Sequence, residues 1–329
     1  MTRESFLLSS AAVLLAVCGT DGRSQGITQN YPTKAVRVVE PFGTGGGPDL
    51  IARALGTRLS ALWGQPVTVE NHPGGGSTAA PALVAKSPAD GYTLLVNTSA
   101  HAYSAAFVKK LPYDPLRDFI PVAPLTSQPY VLVAAPTARI TTVAELIAAV
   151  KAKPGDVRFA STGIGTGTHV GIEKFNSEAG IKAVHAPGPG DAIADVIANT
   201  VAGRTTYMMA PIPLALASIR AGTLRALGVT TKSRSALLPD VPTIAESGVA
   251  GFDYAIWYGI WAPARTPREV VDKLSHDIVL AMEAPDLRDM LAKDGASRML
   301  MTQPEFARFV VRESEGAARI AKAAGITPQ

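Results

Sequence analysis

The stretch Val36-Arg37-Val38-Val39-Glu40-Pro41-Phe42-Gly43-Thr44-Gly45-Gly46-Gly47-Pro48-Asp49 decides the architecture. A short β-branched run reads as a strand, the glycines as a loop, and Leu50, Ile51, Ala54, Leu55 and Leu59 as the apolar stripe of a helix. Pro48 suits the first helical position, and Asp49 brings a carboxylate into the first turn. The pattern returns far downstream, where Val157-Arg158-Phe159 leads into Gly163-Ile164-Gly165-Thr166-Gly167-Thr168-His169 and a helix containing Ile172 and Phe175. Glycine lets the backbone turn tightly and approach a ligand closely. The helix start then offers unpaired N–H groups and about half a unit of positive charge, which makes an anion site. Two such loops predict one per domain, facing each other across a cleft; the plainer alternative is two tight strand–helix turns.

Outward from these units, strands are predicted at Val67-Thr68-Val69, Tyr92–Val96, Tyr130–Ala134 and Leu224–Val229. Thr-x-x-Glu capping boxes mark helix starts at Thr142/Glu145, Thr243/Glu246, Thr266/Glu269 and Thr302/Glu305. After the third, Val270, Leu274, Ile278 and Met282 form one buried stripe. Strands alternating with helices predict an α/β protein with parallel sheets. A chain of 329 residues is long enough for two domains. With 47% hydrophobic and 18% charged residues, it excludes disorder and coiled coil. The 31 Lys+Arg against 27 Asp+Glu form no dense basic run, so no nucleic-acid partner is expected. One cysteine, Cys18, excludes a disulfide framework and a cysteine-rich zinc site.

Residues 1–24 read as a secretory signal. Arg3 precedes an apolar stretch from Phe6 to Cys18 that is too short to span a bilayer. Gly22-Arg23-Ser24 places small residues at the −3 and −1 positions, with cleavage before Gln25. A lipid on Cys18 is the alternative, weakened by Val17 where a small residue is expected. The periplasm is the predicted location.

Enzyme motifs are missing. The first loop lacks dinucleotide-fingerprint spacing, and there is no P-loop, no Gly-x-Ser-x-Gly elbow and no His-Glu-x-x-His helix. His169 and Glu173 share a helix face, but two ligands without a third make no metal site. No cofactor, metal or catalytic residue is predicted.

Ordered motifs run along the chain: Tyr31-Pro32-x-Lys34, Pro41-Phe42-x-x-Gly45-Gly46-x-x-Asp49-x-x-Ala52-Arg53, Val69-Glu70-Asn71-x-Pro73-Gly74 and Asp90-Gly91-Tyr92-Thr93-Leu94-Leu95. Leu111-Pro112-Tyr113-Asp114-Pro115, the Gly163–His169 loop, Leu224-Arg225-Ala226-Leu227, Leu238-Pro239-Asp240-Val241-Pro242-Thr243 and Trp257-Tyr258-Gly259 follow. On these, the chain from Tyr31 onward resembles the Bug family, periplasmic solute receptors of tripartite tricarboxylate transporters. The resemblance implies a two-domain periplasmic-binding-protein fold, type II-like, closing on a small carboxylate. It also implies that the two glycine-rich loops hold the carboxylate through backbone and hydroxyl donors, partly by bridging waters. The implied partners are the ligand and the transporter's membrane components, with the receptor a monomer. Two departures stand out: Gly188-Pro189 replaces the family's usual aromatic and lysine, and the Asn71–Ser77 turn lacks an alanine between its glycines.

Ligand-binding candidates follow. Phe42 is an apolar lid or a strand-end core residue; Gly45, Gly46 and Gly47, with Gly163 and Gly165, bring backbone close. Asp49 meets a ligand amino group or serves only the helix's first turn. Thr166 and Thr168 donate hydroxyls or cap the helix, and His169 contributes or closes the helix start. Asn97 and Ser99 lie past a strand's carboxyl end, where open α/β sheets bind ligands, with Ala210-Pro211 corresponding in the second domain. The domains are expected at 31–128 plus 253–329 and at 129–252, with crossings near Gln128-Pro129 and Gly251-Phe252. Capture for a transporter is the leading function. A sensing module for a signalling receptor and an enzyme of the same fold are the alternatives.

Overall fold

The first strand, β1 (Val36–Glu40), forms because its β-branched side chains alternate into two apolar layers; Val36, Val38 and Val39 are all buried. It feeds α1 (Gly47–Trp63), which returns to β2 (Val67–Asn71), α2 (Ala79–Ala85), β3 (Thr93–Thr98) and α3 (Ala100–Phe107). This is a computed structural model that describes residues 30–74, 77–188 and 192–328. The predicted signal, Cys18 and Pro189 of the Gly188-Pro189 departure lie outside the described residues, as do Gly75 and Gly76 of the Asn71–Ser77 turn. β1 lies between β2 and β3, parallel to both, so the carboxyl ends of β1 and β3 share one edge.

The second unit repeats the plan: α4 (Val143–Ala152), β5 (Arg158–Ser161), α5 (Gly167–Glu178), β6 (Val184–Pro187), α6 (Ile193–Val201), β7 (Tyr207–Pro211), α7 (Ile212–Arg220) and β8 (Arg225–Val229). Here β5 lies parallel between β6 and β7. The parallel sheets predicted from the sequence are these two trios. What joins them is antiparallel. β4 (Phe119–Ala134) runs 16 residues, against an ordinary strand of about 5–6. Up to Pro129 it pairs with β9 (Ala255–Pro263), which itself pairs with β3. From Tyr130 to Ala134 it pairs instead with β7 and β8. The order is β2-β1-β3-β9-β4-β7-β5-β6, with β8 and the two-residue β10 (Ser297–Arg298) also on β4.

After β9 the chain adds α8 (Arg268–Ala281), α9 (Pro285–Lys293), β10 and α10 (Gln303–Ala324). The predicted stripe Val270, Leu274, Ile278 and Met282 is buried throughout. The capping boxes vary. Thr302/Glu305 closes reciprocally, and so does Thr243/Glu246, although only a turn follows it. Glu145 N–H donates to Thr142 Oγ1, while the Glu145 carboxylate reaches back to Thr141. Thr266 does not cap: its hydroxyl donates to the Pro263 carbonyl, and α8 starts only after Pro267. Proline there already fixes the φ that a helix entry needs.

α10 packs on α3, β4 and α5, elements from both trios and their joining strand. Its Glu313 carboxylate oxygen accepts from Tyr103 Oη at 2.7 Å and from Trp257 Nε1 at 2.9 Å, both on buried side chains. Removing that acceptor orphans two buried donors, at about 1–3 kcal/mol each. Glu313→Ala is therefore expected to cost about 2–6 kcal/mol in urea unfolding. Val311→Ala, on the exposed face of the same helix, should stay within about 0.5 kcal/mol.

Candidate functional site

The two glycine-rich loops enter their helices through the same backbone turn. Gly45 has φ +88° and Gly165 φ +79°, a region that favours glycine. The N-cap residues Gly46 and Thr166 share extended backbone, at φ −73°, ψ 164° and φ −73°, ψ 162°. Leu50 N–H donates to Gly46 O and Val170 N–H to Thr166 O, both at 2.9 Å. The second glycine amide of each loop folds back on the third helical residue: Gly45 N–H to Asp49 Oδ2 at 2.9 Å, and Gly165 N–H to His169 Nδ1 at 3.3 Å. Neither helix start receives a side-chain cap. The amides of Gly47 and Asp49 in α1, and of Gly167, Thr168 and His169 in α5, thus have no partner within their helices.

Each loop is held from behind. Asp49 is buried, and its carboxylate takes Gly45 N–H, Asn71 Nδ2 and Arg53. Burial alone would raise its pKa; Arg53, the Gly45 amide and Asn71 outweigh that and hold it below the ordinary value. Asn71 also donates to Glu40 and to Phe42 O, and Phe42 N–H donates to Glu40 Oε2 at 3.0 Å. Burial pushes Glu40 up to about 7 against those hydrogen bonds. In the second loop, burial and then the neighbouring His185 lower His169 to about 3, so its imidazole is neutral and can accept from Gly165. His185 Nε2 lies 2.7 Å from Ser161 Oγ.

The sequence candidates fall into two groups. Gly45, Gly46, Gly47 and Phe42 end β1, with Asn97 and Ser99 on the same edge past β3. Asn97 Oδ1 accepts from Thr98 N–H, and Ser99 N–H donates to Trp257 O. Gly163, Gly165, Thr166, Thr168 and His169 follow β5, with Ala210-Pro211 at the matching end of β7. Thr166 does not cap its helix through its side chain: its hydroxyl donates to Gly163 O at 2.7 Å and lies 3.0 Å from Thr168 Oγ1. Thr168 Oγ1 in turn accepts from Thr162 N–H. Among the described residues, no three His, Cys, Asp or Glu side chains come together as a metal site.

Glu40, Ser161, His185 and Tyr130 were not singled out from the sequence, and Asn71 and Tyr258 were read there only as parts of the Val69–Gly74 and Trp257–Gly259 motifs. The Asp49/Arg53 spacing of four was the visible clue to the first network. Nothing local ties Asn71 to Glu40, because parallel pairing across 31 residues joins them.

Residues 51–326 match the family model described as tripartite tricarboxylate transporter family receptor. The chain belongs to that family. A UPF0065 protein from the tcbD-tcbE intergenic region of Pseudomonas sp. strain P51 is 36% identical over 286 residues, covering 87% of this chain and 84% of that protein. Among solved structures, an R. palustris protein with adipate gives a TM-score of 0.80 at 31% identity, covering 91% of this chain and all of that one. The periplasmic binding protein BugD gives 0.78 at 28%, covering 91% and 100%. MatC from Rhodopseudomonas palustris, with bound malate, gives 0.77 at 30%, covering 88% and 99%. Receptors of this family have the two-domain periplasmic-binding-protein fold, and no helix among the described residues is long and apolar enough to cross a membrane.

The anchor under the first loop titrates. Glu40 has its folded pKa raised, to about 7 from 4.5. Its contribution to stability is full below about 4.5 and is lost as pH rises to about 7. The stability of the wild type minus that of Glu40→Gln should therefore fall between pH 4.5 and 7 and level off above, as measured by urea unfolding across pH 4–8. A pH-independent difference would show that folding leaves the pKa of Glu40 unshifted.

Proposed function

We propose that this receptor captures a small organic carboxylate in a cleft between two domains and delivers it to the membrane components of a tripartite transporter, without catalysing a reaction. The observation that carries this is the duplicated loop: two uncapped helix starts with no lysine or arginine in either loop. Backbone amides and partial charges suit a carboxylate that must be released again. Adipate and malate in two structural relatives agree with that class.

The domains are 31–128 plus 253–329 and 129–252, with the crossings at Gln128-Pro129 and Gly251-Phe252 as the hinge. The change of β4's partner at Pro129/Tyr130 supports this division. Gly45, Gly46 and Gly47 face the ligand from the first domain, with Phe42 as lid and Asn97 and Ser99 beside them. Gly163, Gly165 and Thr166 face it from the second. Asp49, Thr168 and His169 act from behind, since their polar atoms already tie the loops. The chain is exported through residues 1–24 to the periplasm and works as a monomer.

A ligand at about a hundred times its dissociation constant stabilises the native state by about 2.7 kcal/mol. Adipate or malate is expected to raise the melting temperature and, by small-angle scattering, to reduce the radius of gyration through hinge closure. Gly46→Asp is the matched variant. Its backbone is already that of an N-cap, and a Cβ there meets nothing closer than 3.6 Å. The new carboxylate should cap α1, raising the melting temperature while abolishing binding. Gly163, at φ +128°, offers no such clean exchange. Unchanged affinity in Gly46→Asp would remove the first loop from the site.

A further inference from the structure

We propose that Tyr130 and Tyr258 determine what the cleft accepts: each places a phenol hydroxyl at one uncapped helix start, and the pair donates hydrogen bonds to the oxygens of the bound carboxylate. This rests on the receptor reading above and deepens it.

The two residues occupy equivalent places in the duplicated site. Tyr258 Oη stands 2.6 Å from where a Cβ on Gly47 would be, and Tyr130 Oη stands 2.6 Å from where a Cβ on Gly167 would be. Gly47 and Gly167 are the first residues of α1 and α5. Any side chain there would displace the hydroxyl, so glycine at these positions keeps the phenol against the open amides.

Both tyrosines sit on the strands that join the parallel trios. Tyr258 of β9 lies opposite Thr126 of β4, and Tyr130 is four residues farther along β4. There β4 has changed partner, and Tyr130 pairs with Pro211 of β7. The two rings therefore lie on either side of the crossing, Tyr258 in the core cluster with Ile51 and Leu55 of α1 and Tyr130 in the cluster with Val170 and Ile172 of α5, one directed to each loop. Charge on Tyr258 would be felt at Tyr130, which puts them in one neighbourhood.

Their hydroxyls are unused by the fold. Tyr130 is 2% exposed and Tyr258 9% exposed, yet neither hydroxyl has a hydrogen-bond partner among the described residues. Other buried tyrosines do: Tyr31 donates to Gly91 O, Tyr103 to Glu313, Tyr207 to Asn176 and Tyr254 to Gly167 O. Neither oxygen is among the fully buried unpartnered polar atoms, so each phenol sits on a buried ring and keeps its hydroxyl in contact with solvent. Two such hydroxyls aimed at two open helix starts are the pattern of a site awaiting an acceptor. Burial raises the pKa of both, so each keeps its proton to donate.

Calorimetry on the mature chain with adipate, malate and hexanoate tests this, using Tyr130→Phe, Tyr258→Phe and, as control, Tyr31→Phe. Each cleft variant keeps its ring and should keep its melting temperature. Each should lose affinity about tenfold or more for whichever of these acids the wild type binds, as for one hydrogen bond to a charged group. Tyr31→Phe should lower the melting temperature and leave affinity unchanged. Wild-type affinity in both cleft variants overturns the assignment and leaves the receptor reading standing. Loss in only one overturns the pairing. A wild type that binds none of the three acids overturns the receptor reading and this inference together.

Discussion

An α-helix cannot satisfy its own first amides, and this chain leaves that deficit open at two helix starts. In each loop the group best placed to cap the helix is turned elsewhere. The Thr166 hydroxyl bonds backward to Gly163, and Gly46 has no side chain to offer. The third helical residue, Asp49 or His169, accepts from a glycine amide in the loop instead. The bond that would have closed the helix start is spent on fixing the loop beneath it. The rest of the molecule supports that arrangement: the parallel trios aim the two loops, and the buried anchors keep them in shape.

The anchors reach the same geometry by different chemistry. Asp49 is ionised and neutralised by Arg53, within a network that includes Asn71 and Glu40. His169 is neutral and packed against His185 and Phe159. One loop is held by charges in balance, the other by a buried imidazole whose lone pair faces an amide. A substitution that conserves shape but not charge should thus be tolerated unequally in the two halves.

Much of the fold was legible in the sequence because it is local. β-branched runs, glycine loops and helical stripes carry their own period, and Val270, Leu274, Ile278 and Met282 were found buried as expected. The joining strands were not legible. Only the end of β4, from Tyr130, shows as a strand; its earlier part contains Pro121, Pro124 and Pro129, which read as breaks, and β9 pairs with partners more than a hundred residues away. The loops were found as a pair, but their support was not, since Glu40 meets Asn71, and His185 meets Ser161, through strand pairing. Thr166 shows the limit from the other side. Its sequence position says N-cap and its backbone agrees, while its side chain does something else.

Asp49 and Arg53 cancel and His169 carries no charge, so the residues that tie the two loops add no net charge, and Glu40 beneath the first loses its proton only near pH 7. What the loops present are dipoles, whose influence fades within about a turn of helix. Those dipoles act only at close range, so any pull on a distant anion comes from the formal net charge of +4 that the whole chain carries. Long-range attraction and short-range geometry are thus carried by different parts of the molecule.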